Sequence, residues 1–549
     1  MRPTRLTIAA LALLLPLRPA RSQQRTSPET RVVSQVQADA IGAPLHFLSD
    51  DLLEGRGTGQ RGGEIAAQYI AAQFMALGLE PAGDGGSWFQ RVPIVSMNPS
   101  PEITFSGGGQ PRALRYRDEF AAWAERADSV VSDSGDVVYV GYGIAAPEWQ
   151  WDDYKGVDLR GKILLMLVND PGVRDPDLFR GKVLTYYGRW TYKLEEAARR
   201  GAAGVLLIHN DTLATYGWNT VKNSWTGPQT RLDNPPTSLQ FAGWLAEGAT
   251  REVLGSSGLD LARLMAAAQS RDFRPMATGL RVAVTIRSTV RRLATANVVG
   301  RLPGRDPALA GQVVVLSAHY DHLGMGQPVN GDSIMNGAVD NASGVATMLG
   351  VAAAYARAGV RPRRSLLFVG VAAEEAGLLG SAWLAAHPPV PPAGVAADLN
   401  VDGVNLYGRT RDISALGLDQ SSLGAVFRRA ALAEHLRVTI DSQAQTRGAF
   451  FRSDHFSFAR AGVPSLSWGG GHDYVGRPAG WGAEQDRIYE RERYHQPADN
   501  LLPWYTVDGA MQQARVLARV SWEVAEAAAQ PAWSPGSDFR EAGRRRVGN

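Results

Sequence analysis

The chain has 549 residues, 44% of them hydrophobic and 20% charged, with a formal net charge of +3. That length exceeds one ordinary domain, and so small a charge excludes a general affinity for nucleic acid. Cysteine is absent, which excludes disulfides and thiolate chemistry and leaves His and carboxylates to build any metal site.

Residues 1–22, MRPTRLTIAALALLLPLRPARS, put Arg2 and Arg5 ahead of a short apolar run, with Ala20 and Ser22 at offsets that suit cleavage. This pattern predicts a secretory signal peptide, since the apolar run is shorter than the ~20 residues that span a bilayer. No later stretch reads as transmembrane, so the mature protein is expected to be exported, periplasmic or secreted, and without a membrane anchor. Residues 23–134 open with helical spacing in IGAPLHFLSDDLLEG and GGEIAAQYIAAQFMALGL, the second ending at Gly78, and turn into a strand at GSWFQRVPIVSM. From Gly135 to about 275 the strand-like GDVVYVGYGI, GKILLMLVND and GVLLIHN alternate with a helix over RWTYKLEEAARR, and predict a separate β-rich unit. The aromatic WQWDDY and YGRWTY there are expected to be cores and loop pins.

Residues 276–530 alternate continuous apolar strands with helices: GQVVVLSAH, SGVATMLGVAAAYARAG, RSLLFVGVAAEE, GLLGSAWLAAH and AADLNVDGV. This reads as an α/β fold with a mostly parallel central sheet covered on both faces by helices. The remaining residues, 531–549, read as a basic polar tail, a solvated end.

Ligands of open α/β sheets bind beyond the carboxyl ends of the strands. Here those ends carry His319, then Glu374 and Glu375, then Asp402, while Asp340 precedes a helix and Tyr494 and His495 stand in a later polar loop. Two imidazoles and three carboxylates, from His319, Asp340, Glu375, Asp402 and His495, suit two zinc ions sharing a water. One glutamate of the adjacent pair can then bind metal, while the other takes a proton from the water. Asp321, two residues after His319, is expected to hold the imidazole N–H. His46, His209, His387 and His435 are expected to be structural and His322 a neighbour rather than a ligand. Asp454 and His455 either line the pocket or hold a loop, and His472 is expected to be structural.

The ordered set HYDH, GAVDNASG, AAEEAGLLGS, NVDG and YHQPADN resembles the secreted zinc exopeptidase family that includes bacterial aminopeptidases, glutamate carboxypeptidase and the transferrin receptor. The resemblance implies that His319 and Asp402 hold separate zinc ions, that Asp340 bridges them, and that Glu375 and His495 complete the shells. It also implies Glu374 as proton-shuttling base, Asp321 as support for His319, and Tyr494 as a hydroxyl that stabilises the tetrahedral intermediate. GKILLMLVNDPG and KLEEAARRGAAGVLLIHN, in the segment 135–275, resemble a protease-associated domain inserted into the peptidase. Gly403 and Asn405 depart from the pattern beside Asp402.

The expected function is that of a zinc-dependent exopeptidase acting on peptides, an aminopeptidase first. A carboxypeptidase or dipeptidase of the glutamate carboxypeptidase type is the alternative, which Arg447 and Arg452 keep open because a carboxylate-binding pocket needs cations. A one-zinc cyclotransferase and a non-catalytic binding protein fit less well, because the full ligand set is present. Nothing in the sequence sets an oligomeric state, a residue preference or a further calcium site.

Overall fold

The computed structural model describes residues 26–233 and 237–548; the leader expected at 1–22 lies outside them. After a short helix (Pro28–Ser34) come helices α1 (Asp39–Leu48) and α2 (Arg61–Ala76), then the long strand β1 (Phe89–Ser106). Gly78, just past α2, has φ +70°, the left-handed stop expected of a glycine there.

A second unit follows. Its strands are β2 (Phe120–Ala124), β3 (Val130–Tyr139), β4 (Ile163–Leu167), β5 (Gly204–His209) and β6 (Phe241–Ala246), with helix α3 (Trp190–Arg199) ahead of β5. They run in the order β3-β4-β5-β6-β2, with parallel pairs as far as β6 and an antiparallel edge at β2. Because β2 pairs with β6, the sheet of this unit reaches back to residues before 135. β4 and β5 are buried along their whole length, as their unbroken apolar sequences require for strands covered on both faces.

Strand β7 (Met276–Leu302) joins the two halves of the molecule. Its first half alternates buried and exposed residues and pairs antiparallel with β1 and β3. Its last residues, Val298 to Leu302, pair instead with the catalytic-side sheet. That sheet is built from β8 (Val313–His319), β9 (Ser365–Val371) and β10 (Val395–Val401), all fully buried, and from β11 (Asp412–Leu416) and β12 (Ser465–Gly469). The order is β11-β12-β10-β8-β9-β7, parallel from β12 to β9. One face carries α4 (Ser343–Ala358), which packs against α1 and the late helix α5 (Asp508–Glu526). Gly462, at φ +83°, makes the expected turn into β12.

The tail departs from expectation. Residues Arg540–Val547 form a helix, Phe539 is buried against Phe451 and Phe456, and Arg546 donates to the carbonyls of Gly462 (3.0 Å) and Val395 (2.7 Å). Of the arginine run only Arg546 docks, over the start of β10 and the turn before β12; Arg544 and Arg545 remain exposed.

Beneath the sheet's carboxyl edge, the Asp398 carboxyl on β10 is fully buried. One oxygen accepts from the Ser317 hydroxyl (2.8 Å) and the other has no partner. Burial pushes its pKa well above the ordinary carboxyl range. Such a group binds its proton more tightly folded than unfolded, so its contribution to stability is complete below the unfolded pKa of about 4 and is lost as pH rises through the folded pKa. Asp398→Asn keeps the acceptor for Ser317 and removes that loss. Its melting temperature relative to wild type is expected to climb between pH 5 and pH 8; a difference that does not change with pH would mean that Asp398 is ionised in the fold.

Candidate metal centre

The site assembles at the carboxyl edge of β8, β9 and β10. β8 ends on His319, which is 1% exposed. Past β9 the backbone reverses at Ala373, φ +55°, a left-handed conformation that costs a non-glycine residue energy. The reversal separates the two adjacent glutamates, giving Glu374 and Glu375 different surroundings. Beyond β10 stands Asp402. Asp340 sits on the irregular turn leading into α4, and His495 sits in the loop ahead of α5, at φ +57°.

Asp340 is the centre of the arrangement. Its Oδ1 lies 3.3 Å from His319 Nε2, which is itself 3.1 Å from Asp402 Oδ1. Its Oδ2 lies 3.3 Å from His495 Nε2, which is 3.1 Å from Glu375 Oε2. Each carboxylate oxygen of Asp340 thus faces its own His–carboxylate pair. Two ligands about 2.0–2.1 Å from one tetrahedral metal stand roughly 3.3 Å apart, which is the spacing found on both sides. His495 Nε2 is buried and has no hydrogen-bond partner, as a ring nitrogen reserved for a metal would be. Donor type and spacing therefore fit a metal on each side of Asp340. Three groups, His319–Asp340–Asp402, His322–Asp340–Glu375 and His319–Glu374–Glu375, bring ligand atoms within 4.8 Å of one another.

The pairing differs from the expected one in two respects. His319 and Asp402 share a side instead of holding separate ions, because β8 and β10 are adjacent parallel strands whose ends lie together. The Asp321 carboxylate does not hold the His319 ring: His319 Nδ1 meets the main-chain carbonyl of Asp321 at 3.1 Å. That carboxylate instead accepts from the Thr58 hydroxyl (2.7 Å) and the Glu374 N–H (3.2 Å), so it steadies the backbone of the proposed base. Tyr494 stacks its ring on His495, centroids 3.9 Å apart, and its hydroxyl has no hydrogen-bond partner among the described residues.

His322, expected to be a bystander, places Nδ1 2.6 Å from Glu375 Oε1. Asp454 is fully buried at the start of a short helix, its oxygens without partners, and burial raises its pKa to about 7. The buried His455 packs edge-on to Phe450 and belongs to no ligand group among the described residues. His472 pairs with Asp486 at 2.7 Å.

Protonation follows from burial and neighbours. At Glu374, burial, together with Glu375 and Asp402, outweighs the attraction of His319 and holds the carboxyl well above its ordinary value. At Asp340, burial opposes ionisation, but the contacts with His319 and His495 prevail and keep its pKa well below normal. His495 is likewise penalised by burial, yet Asp340 and Glu375 lift it to about 10.

Two supports escaped sequence reading. Arg56, 1% exposed, donates to the carbonyls of Tyr320 (2.8 Å) and Gly337 (2.9 Å) and to those of Leu48 and Asn336. It thereby ties the loop after His319 to the loop before Asp340. Asp499 accepts from the N–H groups of Val339 (3.1 Å) and Asp340 (3.0 Å), fixing the turn that presents Asp340. Asp499 stands in the same YHQPADN run as His495, which was its only signal; Arg56 had none beyond its glycine neighbours.

A profile of peptidase family M28 matches residues 297–517, the span from the end of β7 into α5. Over that span the chain is similar to M28 peptidases. It is 29% identical over 209 residues to leupeptin-inactivating enzyme 1 of Streptomyces exfoliatus, covering 37% of this chain and 43% of that one. A probable zinc metalloprotease of Pyricularia oryzae is 36% identical over 137 residues, covering 23% of this chain and 26% of its own. The chain thus spans less than half the length of these curated relatives. Among solved structures, an aminopeptidase from Aneurinibacillus sp. strain AM-1 aligns over 90% of this chain and 95% of its own at 18% identity, with a TM-score of 0.46.

Replacing Arg56 by Met leaves four carbonyls without a donor and the acid cluster without its buried cation. The expected cost is about 3–5 kcal/mol, read as a lower melting temperature together with lower zinc content after dialysis. Unchanged melting and unchanged zinc would show that Arg56 supports neither loop.

Proposed function

We propose that the protein is an exported M28 exopeptidase, an aminopeptidase, that holds two zinc ions about Asp340. The observation that carries this reading is the division of Asp340: one oxygen faces His319 and Asp402, the other faces His495 and Glu375. Those five residues would hold the metals. When bound, zinc supplies a water of lowered pKa and a Lewis acid for the scissile carbonyl.

The protein's own groups do the rest. Glu374, buried and with a raised proton affinity, accepts the proton of the attacking water and passes it to the leaving amine. Asp321 and Thr58 keep the Glu374 backbone in place. The Asp321 carbonyl fixes the His319 ring with Nε2 turned into the site. Tyr494, stacked on His495 at the half-exposed rim, presents a phenol that can donate to the oxyanion. The second unit acts as a protease-associated cover that limits access to short peptides and chain ends. The leader at residues 1–22 exports the chain, in keeping with the absence of any helix long and apolar enough to cross a membrane among the described residues.

The test uses the zinc-loaded mature protein with peptides blocked at one end or the other. Cleavage is expected only where the N-terminus is free, and Glu374→Gln is expected to lower kcat by roughly 10²–10⁴ while zinc content stays at two per chain. Cleavage only of peptides with a free C-terminus would replace the aminopeptidase assignment by a carboxypeptidase. An active Glu374→Gln enzyme would remove Glu374 as the base.

A further inference from the structure

Away from the acid cluster, where the second unit meets the peptidase half, lies a small cleft of about 30 Å³ lined by Asn169, Arg189, Thr215, Tyr216, Trp244 and Arg452. Arg189 precedes α3 and Arg452 lies two residues before Asp454, so the cleft is made by both halves of the molecule. Arg189 Nε is sealed from solvent and has no hydrogen-bond partner. Among the described residues neither Arg189 nor Arg452 forms an ion pair, whereas Arg447 on the rim is spent on Glu490 at 3.1 Å. The indole N–H of Trp244, also buried in the lining, is unpartnered too.

Arg452 is exposed and Arg189 partly buried, but Arg189 Nε, sealed from water without a partner, runs against the usual rule. Buried charges are paired or bound, because an isolated ion loses its hydration without compensation. Here two guanidinium groups lie close enough to repel. Burial and Arg452 together bring the pKa of Arg189 down to about 10, so it still carries its charge at neutral pH. An anion would satisfy both guanidinium groups. A planar carboxylate matches the forked donors of arginine, and the space, about that of two waters, suits its three heavy atoms.

Neighbouring residues link the cleft to the elements that carry the candidate metal centre. Asp454 lies within electrostatic reach of His319 and Asp402. Leu184, in the cleft wall, shares an apolar cluster with Leu378, three residues beyond Glu375. We propose that Arg189 and Arg452 form an anion site that takes a carboxylate of the peptide substrate, either its C-terminus or an acidic side chain beyond the scissile bond. The proposal rests on the exopeptidase reading and extends it to a substrate class: short or acidic peptides, with the second unit contributing directly to recognition through Arg189.

The experiment compares four peptides: Leu-Ala-Ala with a free carboxylate, its C-terminal amide, and the amides of Leu-Glu-Ala and Leu-Ala-Glu. Each is given to wild type, Arg189→Met and Arg452→Met. Wild type is expected to favour a carboxylate-bearing peptide over the uncharged amide by roughly ten- to hundredfold in kcat/KM, through KM. Both variants are expected to lose that preference and keep the wild-type rate on the uncharged amide. A preference confined to the free acid assigns the C-terminus; one confined to a glutamyl peptide assigns the side chain. Arg189→Met removes an unpaired buried charge and should not lower the melting temperature; should it fail to fold, Arg452→Met, at an exposed position, carries the same comparison. No carboxylate preference in wild type, or one that survives both substitutions, overturns the anion site while leaving the peptidase intact. Hydrolysis of none of the four peptides overturns the exopeptidase reading and the substrate assignment with it.

Discussion

Concentrating carboxylates in a buried place is the constraint on which the rest of the site depends. Asp321, Asp340, Glu374, Glu375, Asp402, Asp454 and Asp499 gather around two or three imidazoles, most of them with little exposure. Like charges so placed repel strongly where water is scarce. The fold answers in three ways. Arg56 puts a permanent cation under the cluster and spends its donors on main-chain carbonyls. Asp499 and Asp321 are held by N–H and hydroxyl donors. Glu374 answers by raising its own proton affinity. The remaining negative charge, on Asp340, Asp402 and Glu375, is what a pair of divalent cations would neutralise.

This solution requires loops from distant parts of the chain to meet within a few ångströms. β8, β9 and β10 supply a rigid, fully buried platform, and each side chain of the centre leaves it within a few residues of a strand end. The elements that leave regular structure do so where chemistry needs them: Ala373 parts the two glutamates, and His495 takes a left-handed backbone to aim its ring at Asp340. Strain at such places persists only because the surroundings over-determine it.

β7 gives the molecule its second property. One strand is shared by both parts of a single continuous sheet, so the second unit is joined to the peptidase half through main-chain hydrogen bonding as well as through side-chain packing. The contact between the halves is completed by Phe451, Phe456 and Phe539, with Leu184 and Tyr186 packed against them. Arg189 and Arg452 approach each other only because this junction is fixed.

Much was legible from sequence because it was local. Strand ends could be read from apolar runs that stop at His319, Ala373 and Val401, and parallel topology sends such ends to one edge. That determined the α/β class, the identity of the cluster and the presence of a second unit. Tertiary structure alone decided which imidazole faces which carboxylate, since the grouping of His319 with Asp402 follows from β8 and β10 being neighbours in space. It likewise decided that the Asp321 carbonyl, not its carboxylate, holds the His319 ring, that the basic tail docks through Arg546, that Arg56 is buried and that Arg189 Nε is sealed from solvent. Apart from the local Asp321 contact, the physical reason is common: a side chain's partner is set by the through-space meeting of segments distant in the chain, and the periodicity of one segment carries no information about the other.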